Sequence, residues 1–302
     1  MKANLKNRAF LKAIAAGAAV LFSVPAAAET PFDKFATYDA ESARSVNYSS
    51  VDEFYAAVTV KDSARRNFRY SVLRDSAGAG PLEAYVDFLA GLSPTTFSKD
   101  EQLAYWLNLR NILIIRGIAT SGSDRSLKRA RGEFENPGEM WTRKRISVEG
   151  VPVSIDDIER HIILANFNSP DIVYGLYQGV KGGPAFSPAA NFSGAEVHEQ
   201  LAERGKNFVN ARRVLRVRNS EVRAPAVFTW YKDALFNGED QAVIDNLKGH
   251  ANGSLGQKLS EVTSLGTSRM NYNLDIEVVR QQRVPAPSSG PVYSGGGGGG
   301  GS

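Results

Sequence analysis

The chain has 302 residues with 36 Lys/Arg, 32 Asp/Glu, three histidines and no cysteine, which excludes disulfides, thiolate nucleophiles, thiolate metal sites and a lipidated cysteine. Its basic excess lies in residues 1–28, where Lys2, Lys6, Arg8 and Lys12 meet no acid; removing those four leaves 32 basic against 32 acidic residues. Net charge therefore gives no support to nucleic acid as a partner.

Basic residues ahead of an apolar run from Ala13 to Val24, followed by the small residues Ala26–Ala28, read as a Sec-type secretory signal with cleavage after Ala28. The run is too short to span a bilayer, which needs about 20 apolar residues, and no later segment approaches that length without charge. The expected location is the periplasm or the exterior, and the expected organisation is a signal at 1–28, one globular domain at 29–280 and a flexible Pro/Ser/Gly-rich tail at 281–302.

Aromatic and aliphatic residues at helical spacing (Phe32, Phe35, Tyr38, then Phe54, Tyr55, Val58) predict two short helices between 30 and 60. PLEAYVDFLAGL at 81–92 carries an apolar face of Leu82, Tyr85, Val86, Leu89 and Leu92 and predicts a helix stopped near Gly91 and Pro94. The next helix opens at SKDEQ, where Ser98 and Glu101 have capping-box spacing, and is apolar nearly all round, which places it in the middle of the domain. Asn108, Arg110 and Asn111 then need buried partners, because an unsatisfied buried polar group costs roughly 1–3 kcal/mol.

Residues 121–145 are polar and read as a surface loop around Pro137-Gly138. RISVEGVPVS at 145–154 predicts a hairpin turning at Glu149-Gly150, and Ser154 caps a helix IDDIERHIIL with Asp156 and Asp157 in its first turn. DIVYGLY gives no firm helical pattern, whereas Ser193 is expected to cap a helix through residue 210. RRVLRVR at 212–218 alternates as a strand, APAVFTWYKDAL and EDQAVIDNLKGH predict two more helices, and the rest to Arg280 is weakly patterned. The sum is an α+β fold, a predominantly helical single domain with a small antiparallel sheet.

Catalytic motifs are missing. His198-Glu199 begins an HExxH pattern but Ala202 stands where the second histidine belongs, and His161 and His250 are isolated, so no metal site is expected. Neither G-x-S-x-G nor S-x-x-K is present. The glycine-rich run YQGVKGGPAFSP at 177–188, with Lys181, matches no phosphate or dinucleotide fingerprint and reads as a tight structural loop, so no cofactor is expected. The basic residues Arg204, Lys206, Arg212, Arg213, Arg216, Arg218 and Arg223 form the strongest charge feature of the second half; they read first as a solvated face, with Arg212, Arg213, Arg216 and Arg218 as a candidate patch for an anionic envelope polymer.

YWLNLRNILIIRGI, WTRKRISVEGVPVSIDDIER, DIVYGLYQGVKGGPAFSP, KNFVNARRVLRV and VFTWYKD, in that order, resemble the domain of unknown function 547 family over about residues 100–235, with a weaker echo at MNYNL (270–274). The resemblance implies an uncharacterised, often exported domain with a histidine after Asp-Asp-Ile-Glu and an Asn-Cys…Cys-Pro stretch suited to thiol chemistry. Those positions are here Arg160 for the histidine, Tyr177 for the asparagine, and Gln178 and Gly183 for the cysteines; Arg110 replaces an aromatic residue. Trp106, Asn108, Asn111, Asp157, Glu159, Trp230 and Tyr231 remain as the frame, and His161 sits one place beyond the expected histidine, a step that turns a side chain about 100° on an α-helix.

The candidate site or frame is thus Trp106, Asn108, Arg110, Asn111, Asp157, Glu159, Arg160, Gln178 and Lys181. The expected function is an exported, non-catalytic binding or scaffolding module of the envelope with a degenerate thiol site, its partner an anionic polymer or another envelope protein. The alternative is a hydrolase of envelope glycan or peptide working through carboxylate, amide and arginine groups.

Overall fold

The computed structural model describes residues 29–61, 66–122, 126–129, 138–186, 191–212 and 214–269. The signal, the 281–302 tail, the MNYNL segment and most of the polar 121–137 stretch lie outside the described residues. Contacts divide the chain into Met1–Thr30 and Pro31–Ser302, and the architecture that follows is that of the second unit. It is α+β and mostly helical.

A 3₁₀ turn at Asp33–Ala36 and helix α1 (Ser49–Val58) supply the two short helical pieces of the N-terminal segment, followed by a small antiparallel pair, β1 (Thr59–Lys61) and β2 (Arg66–Phe68). Helix α2 (Tyr70–Arg74) leads to α3 (Ser76–Ala90), which starts before the expected 81–92 span and carries Pro81 within it. Pro81 is the sixth residue of α3, beyond the first turn that Ala79 N–H closes onto Asp75 O at 2.8 Å, so the helix forgoes the bond that an N–H at that place would make; the apolar face that follows is buried through Leu82, Tyr85, Val86 and Leu89.

Helix α4 (Lys99–Thr120) runs through the centre, buried along nearly its whole length. The capping box is only half formed. Ser98 Oγ accepts from Glu101 N–H at 3.4 Å, but the Glu101 carboxylate turns away to accept from Val46 N–H (2.8 Å) and Gly194 N–H (2.9 Å), joining two segments distant in sequence. Trp106, fully buried, packs edge-on against Phe35 and Tyr105 with ring centroids 4.9 Å apart in both pairs.

After α5 (Glu139–Thr142), a short helix where only loop was expected, strands β3 (Ile146–Val148) and β4 (Val151–Val153) form the predicted hairpin. Its turn needs positive φ at both central residues, which Glu149 (46°) and Gly150 (82°) adopt. Glu149 is held there because its carboxylate accepts from Thr95 N–H (3.0 Å) and Thr95 Oγ (2.8 Å) and pairs with Lys34 Nζ at 3.1 Å. The IDDIERHIIL helix is not α-helical throughout: Asp157–Ile163 is a π-helical turn, closed by Leu164 N–H donating to Glu159 O, before α6 (Leu164–Asn166).

DIVYGLY contains a fully buried short helix, α7 (Ile172–Gly175), and α8 (Val197–Val209) follows a 3₁₀ turn at Gly194–Glu196 without a Ser193 side-chain cap. The three-stranded sheet joins β5 (Arg216–Arg218) antiparallel to β6 (Glu221–Pro225), and β6 parallel to β7 (Ser264–Ser268). The APAVFTWYKDAL segment therefore gives its first residues to a strand, leaving α9 (Val227–Trp230) and α10 (Lys232–Phe236) as shorter helices. Helices α11 (Asp240–His250) and α12 (Gly253–Ser260) connect to β7. No helix among the described residues is long and apolar enough to cross a membrane.

Candidate functional site

An aliphatic helix as central as α4 has no room for a charge, so Arg110 requires an answering group, and it comes from the π turn. Arg110 is completely buried; its Nε (2.9 Å) and Nη2 (2.5 Å) both donate to Glu159 Oε2, while Nη1 donates to Asn111 Oδ1 (3.0 Å) and to Tyr177 O (2.5 Å). The other carboxylate oxygen, Oε1, accepts from Tyr231 Oη at 2.9 Å, and Tyr231 Oη accepts in turn from Gln178 Nε2 at 3.0 Å. Gln178 Nε2 also donates to Leu176 O at 3.1 Å. Burial first, and then the neighbouring Glu159 charge, raise the Tyr231 phenol well above its ordinary value, so it stays a donor at neutral pH.

This network forms the back wall of a pocket of about 910 Å³, within the ordinary range for a small-molecule site. Glu159, Gln178 and Tyr231 reach it from behind; Trp141, Trp230 and His161 supply ring surfaces. Trp230 is 48% exposed, which is unusual for so large an apolar side chain. Lys128 and Arg160 face Asp156, Glu159 and Asp233 across the lining, so the two signs are mixed. Arg160 is tied to Asp156 at 2.6 Å, an exposed pair that raises the guanidinium value through that hydrogen bond and charge.

The π turn explains why Glu159, Arg160 and His161 all border one cavity. Its i to i+5 bonding gives a wider turn than the α-helix, so successive side chains diverge less than the roughly 100° that would have sent His161 elsewhere. His161 is further fixed by stacking on Phe32, centroids 5.3 Å apart and planes 9° from parallel.

The nine sequence candidates do not all meet. Glu159, Arg160 and Gln178 line the pocket, with Arg110 directly behind Glu159. Asn108 does not: it exchanges two 2.8 Å hydrogen bonds with the backbone of Phe192. Asn111 is likewise closed off, donating to Gly175 O at 2.9 Å while accepting from Arg110. Asp157 completes a capping box, accepting from Ser154 N–H (2.9 Å) and Ser154 Oγ (2.7 Å), and Trp106 is core. Lys181 borders a different groove, together with Gly182.

Most of residues 177–186 of the glycine-rich loop are buried against the core. Gly179 has φ +69°, and a Cβ there would lie 2.3 Å from Ile118 Cδ1, so both conformation and space demand glycine beside Gln178. Phe186 packs against Tyr55, Phe68 and Tyr177. Gly183, the second cysteine position of the family resemblance, lines a separate cavity of about 140 Å³ with Arg204. Arg204 is no part of a surface patch: it is buried with its guanidinium 3.7 Å from the Phe192 ring centroid, and burial pushes it down to about 9. His198 makes an exposed 3.0 Å contact with Asp100. Among the described residues no cluster of His, Cys, Asp and Glu is arranged to hold a metal ion.

Sequence reasoning missed Trp141 as a wall of the pocket; its signal was a large aromatic in a polar stretch. It also missed Asp233, which reads as an ordinary first-turn acid of α10.

Fold and pocket together define a mostly helical α+β domain with a ring-lined cavity closed at the back by a buried Arg–Glu–Tyr–Gln network. Residues 94–209 match the model of the family described as protein of unknown function, DUF547, which supports the resemblance over that segment. The match begins earlier than the resemblance at 100 and ends before Trp230 and Tyr231, so part of the pocket comes from beyond it. No curated protein and no solved structure matches the chain.

Proposed function

We propose that this chain is an exported envelope protein that binds glycan in the ring-lined pocket without cleaving it. Residues 1–28 read as its export signal, and Arg160 and Gln178, which the resemblance sets in the histidine and first cysteine positions, both border the pocket, whereas Gly183 in the second cysteine position lines the separate cavity. The observation that carries the reading is the state of Glu159: both carboxylate oxygens are committed, one to Arg110 and one to Tyr231, leaving neither placed as a free base. An exposed indole with mixed polar groups around it suits an uncharged hydroxylated ring, whose C–H face packs on Trp230 while its hydroxyls meet Asp156, Arg160 and Asp233.

The competing reading, a hydrolase of envelope glycan or peptide, loses Asn108 but keeps Asp233, a pocket carboxylate with no ion pair among the described residues. One experiment separates them. The purified chain and its Trp230→Ala variant are titrated with N-acetylated β-1,4-linked oligosaccharides, following tryptophan fluorescence for binding and mass spectrometry for products. Saturable quenching that Trp230→Ala removes, with the sugars intact, is the expected outcome. Shortened sugars that disappear in an Asp233→Asn variant would replace binding by hydrolysis, and no binding by any oligosaccharide would overturn the glycan assignment.

A further inference from the structure

A second concave site lies on the three-stranded sheet, with about 770 Å³ of space. Five cations border it from five segments: Lys181 from the glycine-rich loop, Arg212 after α8, Arg216 on β5, Arg223 on β6 and Arg269 after β7. Among the described residues no carboxylate borders it. Arg223 has Glu221 at 3.3 Å, whereas Lys181, Arg212, Arg216 and Arg269 have no acidic partner among the described residues.

The sheet register works against stability here. Arg216 lies directly opposite Arg223 on the neighbouring strand, and like charges so placed are destabilising. On the other side of Arg223 the register partner is Gly266, where a Cβ would meet Glu221 Oε1 at 2.3 Å and Arg223 Cγ at 3.1 Å. Glycine therefore leaves the Arg223 side chain and its carboxylate partner room to lie across the strand. Ser268, two residues further along the same face of β7, adds a hydroxyl to the lining.

The geometry points to a site for a compact polyvalent anion carrying at least two phosphoryl groups, held by Lys181, Arg212, Arg216, Arg223 and Arg269. Each phosphoryl group brings about −1.5 to −2 charges, so two of them balance the four unpartnered cations. Its terminal oxygens point in several directions and accept from donors on different segments at once, whereas a planar carboxylate engages one guanidinium fork and leaves the rest. The site differs from the candidate patch read in the sequence. Arg212 and Arg216 belong to it, Arg218 does not border it although it shares the exposed face of β5, and Arg213 lies outside the described residues. It stands independently of what the ring-lined pocket binds.

The test is calorimetric titration of the purified chain with inorganic tripolyphosphate, orthophosphate and poly-α-glutamate, repeated with Arg216→Ala/Arg269→Ala and with Arg218→Ala, all verified folded by their melting curves. Tripolyphosphate is expected to bind saturably at one site, with orthophosphate and polyglutamate weaker by at least about tenfold and the double variant losing at least about tenfold. Arg218→Ala should bind as the parent does. Equal binding of polyglutamate, or equal loss in Arg218→Ala, would overturn the site in favour of a diffuse positive field, as would no saturable binding of tripolyphosphate. A second arm separates the sources of the chemistry: phosphatidylcholine vesicles containing 5% phosphatidylinositol 4,5-bisphosphate, by about 95% phosphatidylcholine, retain the chain if headgroups can enter the groove. Release by tripolyphosphate then assigns a lipid headgroup, and binding of soluble tripolyphosphate without vesicle retention assigns a free polyphosphate.

Discussion

The two concave regions follow opposite electrostatic rules. Behind the ring-lined pocket every charge has its answer: Arg110 is matched by Glu159, Glu159 by Tyr231, and Tyr231 by Gln178. On the sheet, five cations face one space, four of them with no acidic partner among the described residues, and two arginines stand opposite each other across a strand pair. Burial accounts for the difference. A charge inside the core without a partner is too costly to keep, so the network must close, whereas on an exposed strand solvent makes repulsion tolerable and leaves the charges available to a ligand.

Breaking the closed network should have the largest effect. Arg110→Met strands the Glu159 carboxylate and is expected to cost about 3–5 kcal/mol in denaturant unfolding, with Arg110→Met/Glu159→Gln recovering a large part of it. If the single and double variants were equally unstable, the pair would not be the unit that closes the wall. Asn108→Ala comes next: it frees the Phe192 amide and carbonyl in the core and should cost about 1–3 kcal/mol, with no change in oligosaccharide affinity because Asn108 does not border the pocket.

The groove predicts the reverse pairing of signs. Arg216→Thr removes a like-charge neighbour from the sheet and should stabilise the fold by about 0.2–1 kcal/mol while weakening tripolyphosphate binding. A loss of stability there would mean that the arginine is structural. The smallest effect lies at the hairpin turn. Burial alone would raise the Glu149 carboxyl, but its bonds to Thr95 and Lys34 hold it below the ordinary value of 4.5. Its contribution is therefore present above that value and is lost as the pH falls through the lower folded value. Glu149→Gln should flatten part of the acid limb of a melting-temperature profile and leave the neutral limb nearly unchanged.

Local chemistry was legible in the sequence and distant partners were not. Glu149-Gly150 between alternating valines announces its hairpin because the turn and both strands lie within eight residues, Ile146 to Val153. Ser98 could be recognised as a cap, but the use of Glu101 could not, since one of its partners is Gly194, 93 residues away. The parallel pairing of β6 with β7 was equally hidden: SLGTS carries too little apolar alternation to mark a strand, and its partner lies some forty residues earlier, with Glu221 opposite Ser264. At the site, Arg110 drew notice as a charge in an apolar helix and Glu159 as a motif residue, yet nothing local joined them. The π turn that brings Glu159, Arg160 and His161 to one cavity has no sequence signature in IDDIERHIIL, which reads as an ordinary amphipathic helix.

The wayward carboxylate of Glu101 bears on what can be cut from this chain. It fastens Val46, which precedes the family match, to Gly194 within it, much as Phe35 covers Trp106 and Tyr231 caps Glu159 from outside on either side. A fragment trimmed to 94–209 would expose an indole and strip a buried carboxylate of its phenol. The segment that kinship identifies is therefore smaller than the piece of chain that must fold together, and expression boundaries drawn from the match would divide a single cooperative unit.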